Sequence, residues 1–576
     1  MALSAEDLAQ DRERIVSLLY PDAKDVRTPA EYEALYPPRD LPPKAMVTRY
    51  APSPTGFMHI GGIFVSLINE RLAAQTGGIF YLRIEDTDQR RTIAGALDTI
   101  IDSYARFGIA PQEGLFREAS GAFVQRGAYG PYVQTERATI YRDYAIDLLR
   151  QGKVYPCFLA AEEIEALRKE QMARNIKPGV HGTWSVYRDA PSERIAAELA
   201  KGTPFVIRLR APDDTSGRVT WKDGVKDDMS MPVNDVDMVL IKSDGIPTYH
   251  FAHAIDDFLM RTTHVIRGDE WMSSVPLHLQ LFQMLGKRPP HYAHVPPIQK
   301  LESTEQLDEA TGEMRRTDSR RKLSKRSDPE ANVEYYREVG VPEQATIEYL
   351  LNIANSAFEE WRTKNPTLPY PQFPLKLGKL APGGALSDLL KLRSISKDVI
   401  GRMSGAEVYA QGLPWAKRYD AELAALMERD PEYTTRALGI ERATKKGNKR
   451  IVTWQDLRPQ LTYFFDEIFR VAEGELPEAV SAEDLRYFAG RLAELYDPAL
   501  DRDAWFAVMK RVAEEKGYAA EVKDHKPNPE KYEGHVGDVA MIVRVALCGT
   551  RQSPDLHEVM NVLGPERVRA RLRRLA

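Results

Sequence analysis

Cysteine is nearly absent: Cys157 and Cys548 are the only two in 576 residues. Two thiols exclude a disulfide framework or a cysteine-rich zinc centre. They fit a reducing compartment, so a cytoplasmic protein is expected. No run approaches the roughly 20 apolar residues that a membrane-spanning helix needs, so no membrane partner is expected. The first ten residues hold two acids and neither a basic cluster nor an apolar stretch, which argues against a secretory leader. Internal repeats and low-complexity tracts are also missing. Positive charge is not in excess: the net charge of −5 argues against a protein that coats nucleic acid indiscriminately. It leaves room for local RNA-binding patches.

What is present is the mixture of a soluble globular protein, 43% hydrophobic and 28% charged. The length implies two or more domains. Residues 1–45 are polar and proline-marked, and read as an N-terminal extension. From Met46 the pattern alternates: a strand at Met46–Tyr50, a helix over Ile63–Gln75, a strand at Ile79–Ile84 and a helix over Gly95–Phe107. Strand, helix, strand in this order predicts a crossover unit of a parallel sheet. A charged, helical stretch near 150–200 reads as an insertion. Strand signals return at Phe205–Arg210, and Asp244-Gly245 predicts a hairpin between Met238–Lys242 and Ile246–Phe251. Pro276–Leu285 reads as a helix capped by Ser274.

Beyond about residue 335 the strand signals stop. Helices are predicted at Ala421–Glu428, Leu461–Glu473, Ala482–Tyr496, Arg502–Glu515 and Val539–Leu547. The fold class expected is α/β: a Rossmann-like parallel-sheet catalytic domain over 46–335, with an insertion, followed by an all-α region. A connecting helical stretch is placed at 336–390 and a helical RNA-binding domain at 391–576. Two basic patches stand out, Arg315–Arg326 with seven basic residues in twelve, and Arg442–Arg450. For the second, a solvated loop and an RNA contact are equally good readings.

Two elements carry chemistry. Arg49 to Gly62 joins the first strand to the first helix, where open α/β sheets bind ligands and helix amides favour phosphate. Within it, Gly61 and Gly62 lack a Cβ and let a nucleotide approach the backbone. His59 can donate to phosphate oxygens as charge develops. The second element is Lys322-Leu323-Ser324-Lys325-Arg326, whose lysines can bring positive charge to a triphosphate. Alone, each motif is more often structural.

Together and in this order they resemble the paired signatures of class I aminoacyl-tRNA synthetases: HIGG for the "HIGH" motif, KLSKR for "KMSKS". The stretches Leu82–Asp88, Gly130–Tyr132, Pro247–Phe251 and His264–Trp271 are similar to those of the glutamyl-tRNA synthetase family. So are Arg544–Leu547 and Val562–Arg567. Ser53, Thr55 and Glu85–Asp88 stand where glutaminyl enzymes tend to have other residues. Those enzymes also carry β-barrels where this chain reads as helical.

The resemblance implies an ATP-dependent ligase that activates glutamate as an adenylate and transfers it to tRNA-Glu, with charging of tRNA-Gln left open. ATP and Mg2+ are the implied cofactors, and activation is implied to need bound tRNA. A monomer is expected. It implies His59, Lys322 and Lys325 as catalytic residues. Thr55, His59, Gly61, Gly62, Glu270, Leu323, Ser324 and Lys325 would meet ATP. Arg49, Ser53, Glu85, Tyr249 and Arg267 would hold glutamate, with Arg49 favoured for the side-chain carboxylate. Many relatives bind zinc through Cys-x-Cys after a Tyr-Pro. Here Cys157 follows Tyr155-Pro156 but Leu159 takes the second cysteine's place, so no zinc and no other metal ligand is expected. The extra residues near 111–130 and 302–320 have no assigned role. Rival readings are a glutaminyl enzyme, a catalytically silent tRNA-binding paralogue and a nucleotidyltransferase sharing only the HIGH-like turn.

Overall fold

The structure of the protein, a computed structural model, describes residues 4–576 apart from 24, 57, 308–313, 443–447, 472–473 and 478–479. The chain forms two compact units, one of residues 1–333 with 350–387, the other of 334–349 with 388–576.

The first unit opens with two helices, α1 (Ala5–Leu19) and α2 (Pro29–Leu35). Ser4 and Thr28 cap them, each in a reciprocal box with the acid three residues on. The polar N-terminal stretch is therefore helical, and Ile15, Val16, Leu19 and Tyr32 are buried in the core of this unit.

The parallel sheet begins with β1 (Val47–Tyr50), followed by α3 (Ile60–Gln75) and β2 (Ile79–Leu82). β1 and β2 pair in parallel, Arg49 opposite Tyr81. Next come α4 (Ala96–Phe107), β3 (Glu113–Arg117) and β4 (Phe123–Arg126). β3 lies parallel to β2, and β4 turns back on it, so the extra residues near 111–130 form a hairpin on the sheet edge.

Next along the chain come α5 (Ala138–Arg150), β5 (Val154–Cys157), α6 (Ala161–Ala173), α7 (Ser192–Ala200) and β6 (Val206–Leu209). After a hairpin of β7 (Arg218–Asp223) and β8 (Asp227–Pro232), β9 (Val239–Ile241) joins β5 and β6 in one antiparallel sheet. The buried Asp237 carboxylate ties this region together. It accepts from the Tyr155 hydroxyl (2.6 Å), the Ser185 hydroxyl (2.6 Å), the Arg188 guanidinium (2.7 Å) and the Ala211 amide (2.8 Å).

The strand expected at Ile246–Phe251 is absent. The tight turn exists, with Lys242 N–H on the Ile246 carbonyl at 2.9 Å, but α8 (Tyr249–Leu259) follows at once. Phe251, Ala252, Ile255 and Leu259 are fully buried on a helical spacing. The β-favouring run Pro-Thr-Tyr-His-Phe hides that period. β10 (His264–Gly268) then returns beside β1, where the Thr263 amide donates to the Val47 carbonyl at 3.0 Å. After α9 (Val275–Met284), β11 (His291–Val295) pairs in parallel with β10. Ser274 does not cap α9, because its own backbone is already helical.

β12 (Ile298–Leu307) and β13 (Met314–Lys322) form a long hairpin, so the extra residues near 302–320 extend it. Its Lys322 end opens the second signature motif. One short strand does follow residue 335: β14 (Ala385–Leu386) pairs with β12.

Among its described residues the second unit has helices and connecting loops but no strand beyond a single bridge between Ala519 and His535. The helix expected over Leu461–Glu473 is reduced to Leu457–Leu461 and a single 3-10 turn at Thr462–Phe464, with Glu473 outside the described residues. Tyr463, Phe464 and Phe465 are all buried, which three consecutive side chains on a surface helix cannot achieve. In the patch Arg442–Arg450, Lys445 and Lys446 lie outside the described residues. Arg442 is half-buried and donates to the carbonyls of Leu438, Ile400 and Met403. Lys449 pairs with Asp398 at 2.7 Å.

Candidate active site

At the carboxyl end of β1 the chain turns outward through Ala51–Pro54 and re-enters as α3. His59 is the cap of that helix: its backbone is extended and its Nδ1 accepts the Gly61 amide at 2.8 Å. The proton therefore sits on Nε2. Burial, with Lys325 and Lys322 nearby, pushes the His59 pKa down to about 4, while a hydrogen bond with the Leu323 backbone opposes the shift. His59 is thus a neutral donor, and the two signature motifs touch through it. A Cβ on Gly62 would stand 2.5 Å from the Tyr50 hydroxyl and 2.9 Å from the Met58 sulfur. That glycine is required by interior packing, a demand that the sequence reading did not anticipate.

A cleft of about 520 Å³ opens above these elements. Arg49, Ser53, His59, Gly61, Gly62, Glu85, Tyr249, Arg267, Glu270 and Lys322 all line it, drawn from positions up to 273 residues apart. Four other candidates do not line its wall. Leu323 is buried, and Thr55 turns its amide back to the Ser53 carbonyl at 2.8 Å. The Ser324 amide donates to Asp328 (2.9 Å). Lys325 Nζ lies 3.9 Å from where a Cβ on Gly56 would stand.

The two arginines of the cleft differ. Arg49 is ion-paired with Asp257, Nε to carboxylate at 3.3 Å. Asp257 also takes Arg83 at 2.7 Å and His253 at 2.9 Å, and despite burial the two guanidiniums, with the His253 hydrogen bond, hold its carboxyl well below the usual range. Arg267 has no carboxylate partner among the described residues. It donates to the Tyr249 hydroxyl (3.0 Å), the Trp271 carbonyl (3.1 Å) and histidine nitrogens. Glu85 accepts from Arg83 at 2.9 Å, and burial pushes its pKa up. Lys322 Nζ stands 3.5 Å from the Glu270 carboxylate. Asp257, Asp223 and the histidines His253, His278 and His294 went unnoticed in the sequence, since none belongs to either motif.

A nucleotide-sized cleft at the strand ends of a parallel sheet, bordered by a helix-capping His-x-Gly-Gly and a Lys-x-Ser-Lys loop, defines a class I tRNA synthetase. The family described as tRNA synthetases class I (E and Q), catalytic domain, matches residues 45–361. An anticodon binding domain family matches residues 529–576. The glutamate–tRNA ligase of Sorangium cellulosum is 65% identical, over 97% of this chain and 99% of its own. That of Clostridium perfringens strain 13 is 46% identical, over 97% and 100%. A crystal structure of a glutamate tRNA ligase from Elizabethkingia meningosepticum superposes with a TM-score of 0.71 at 25% identity, over 92% of this chain and 99% of that one. The chain belongs to the glutamate–tRNA ligases, which use ATP to join glutamate to tRNA.

Proposed function

We propose that the cleft binds glutamate and ATP side by side and makes glutamyl-adenylate before charging tRNA-Glu. The observation that carries this is Arg267, a buried guanidinium that donates to four neutral acceptors and has no carboxylate of its own among the described residues. A substrate carboxylate supplies that missing partner. Arg49, Ser53 and Tyr249 complete the glutamate pocket, and Glu85 faces the substrate ammonium. The α-carboxylate attacks the α-phosphorus of ATP and pyrophosphate leaves. The terminal ribose hydroxyl of tRNA then attacks the acyl carbon, releasing AMP.

His59 donates to the phosphates as charge develops, and Gly61 and Gly62 offer backbone there. Lys322 and Lys325 neutralise the transferring and leaving groups. Thr55, Glu270, Leu323 and Ser324 shape the nucleotide side, Leu323 through its backbone. Among the described residues no group of three or more His, Cys, Asp or Glu could hold a metal ion. Mg2+ is assigned to the ATP phosphates, without a dedicated cage of protein ligands. The helical region 391–576 is assigned to the anticodon arm. The protein is read as a zinc-free cytoplasmic monomer.

Aminoacylation with purified tRNA-Glu and tRNA-Gln, each offered glutamate and glutamine, tests the reading. Charging of tRNA-Glu with glutamate is expected. A preference for glutamine would sink the assignment of the pocket. Failure of tRNA-dependent ATP–pyrophosphate exchange would favour a silent paralogue.

A further inference from the structure

Arg267 is held by neutral groups, and one of them is itself anchored to a buried anion. Arg267 and His294 face each other in register on β10 and β11. Arg267 Nε donates to His294 Nε2 at 3.1 Å. A ring nitrogen accepts only where it carries no proton, so the His294 proton is on Nδ1. That N–H meets Asp223 Oδ2 at 2.6 Å. Asp223 sits fully enclosed at the end of β7, and its Oδ1 accepts the amides of Val225 (3.0 Å), Lys226 (3.1 Å) and His294 (3.1 Å). Burial opposes its ionisation, but these donors bring its pKa down to about 2. Burial likewise holds His294 below its ordinary value and so uncharged.

The other contacts of Arg267 obey the same rule. His278 Nδ1 lies 3.3 Å from Nη2, and its Nε2 lies 3.0 Å from His250 Nδ1. One tautomer assignment satisfies the whole chain: His278 accepts from Arg267 and donates to His250. A carboxylate touching Arg267 directly would neutralise it, as Asp257 does Arg49. An imidazole placed between arginine and aspartate fixes the guanidinium plane and leaves its charge unmatched.

We propose that Asp223 and His294 are positioning residues for glutamate recognition, Asp223 selecting the His294 tautomer that orients Arg267 toward the substrate carboxylate. The proposal rests on the assignment of Arg267 to that carboxylate.

The test is steady-state aminoacylation by the full chain at saturating tRNA-Glu, with KM for glutamate and for ATP measured separately. Asp223→Asn is near-isosteric and removes the charge that selects the tautomer. It is expected to raise the glutamate KM about tenfold or more while the ATP KM stays within about threefold. His294→Gln can place an oxygen near the Nε2 position and accept from Arg267, whereas His294→Asn cannot. The expected order of damage to glutamate KM is therefore Asn above Gln. An unchanged glutamate KM in Asp223→Asn, a parallel rise in both KM values, or Gln as damaging as Asn overturns the proposal. If the His294 variants fold poorly, Asp223→Asn alone decides. Arg267→Gln is run alongside: if it leaves the glutamate KM unchanged, the assignment of Arg267 falls instead.

Discussion

Lys322 Nζ lies 3.5 Å from the Glu270 carboxylate, so a lysine and a glutamate on the cleft wall partly neutralise each other. Both are about half exposed, and such a pair contributes under about 1 kcal/mol. A triphosphate carries enough charge to displace Glu270 from Lys322. The ion pair keeps the loop lysine over the cleft and does not lock it.

Lys322→Ala and Lys325→Ala should each slow adenylate formation about a hundredfold or more, in line with removing one preorganised charge. Glutamate KM should stay within about threefold. TRNA-dependent ATP–pyrophosphate exchange measures both. Near-normal exchange in either variant would make that lysine structural.

The charge that selects glutamate over glutamine is expected at Arg267. With glutamine, its guanidinium stays unmatched, at a cost of about 3–5 kcal/mol for a buried charge. Arg267→Gln should therefore reduce kcat/KM for glutamate at least about a hundredfold and narrow the preference between the two amino acids. Arg49→Gln should impair glutamate use too, and should in addition lower the unfolding midpoint, because it removes one of the two guanidiniums paired with the buried Asp257. A wild-type glutamate-to-glutamine ratio in Arg267→Gln would return the selecting role to Arg49.

Acid should weaken the first unit well before its carboxylates titrate. Burial lowers the pKa of His59, His250 and His264 to about 4 and of His253 to about 3. In the unfolded chain they protonate near 6.5. A depressed histidine pKa contributes stability above 6.5, which is lost as pH falls from 6.5 toward 4. By pH 5 each such histidine costs about 2 kcal/mol. Denaturant midpoints measured from pH 7.5 to 5 should fall steadily. A flat profile would mean that these rings are solvated.

Zinc should be absent by elemental analysis, and a chelator should leave the unfolding midpoint unchanged. The Asp237 carboxylate does the cross-linking of this part of the first unit, through four donors on three stretches of chain. Asp237→Ala leaves Arg188 with the exposed Asp213 as its one carboxylate partner among the described residues, and should destabilise the unit by about 3–5 kcal/mol. Stoichiometric zinc in the purified protein would refute this account.

The sequence showed the motifs well because their chemistry is local. His59 caps the helix that its own turn begins, and Lys322 ends the strand that delivers it. The parallel crossover was also readable, since strand, helix and strand follow one another with little interruption. What stayed hidden depends on distance along the chain. Asp223 meets His294 across 71 residues, and Asp257 meets Arg49 across 208. No spacing rule links such pairs. The strand expected at Ile246–Phe251 failed for a different reason: tertiary burial overrode the β preference of Tyr249–Phe251, which open a helix.

The route of the backbone between the two units has a consequence for how the protein is made. The chain crosses from one to the other after residues 333, 349 and 387. Residues 350–387 carry β14, which pairs Ala385 with Ile298 and Leu386 with Gln299, the residue opposite Lys322. During synthesis, the sheet at the base of the lysine loop therefore stays one strand short until residue 386 has emerged. By then residues 334–349 are already out, waiting for a unit whose remaining 189 residues have yet to be translated. A gene divided at codon 350 gives two fragments that each lack part of a core, the first without residues 350–387 and the second without 334–349.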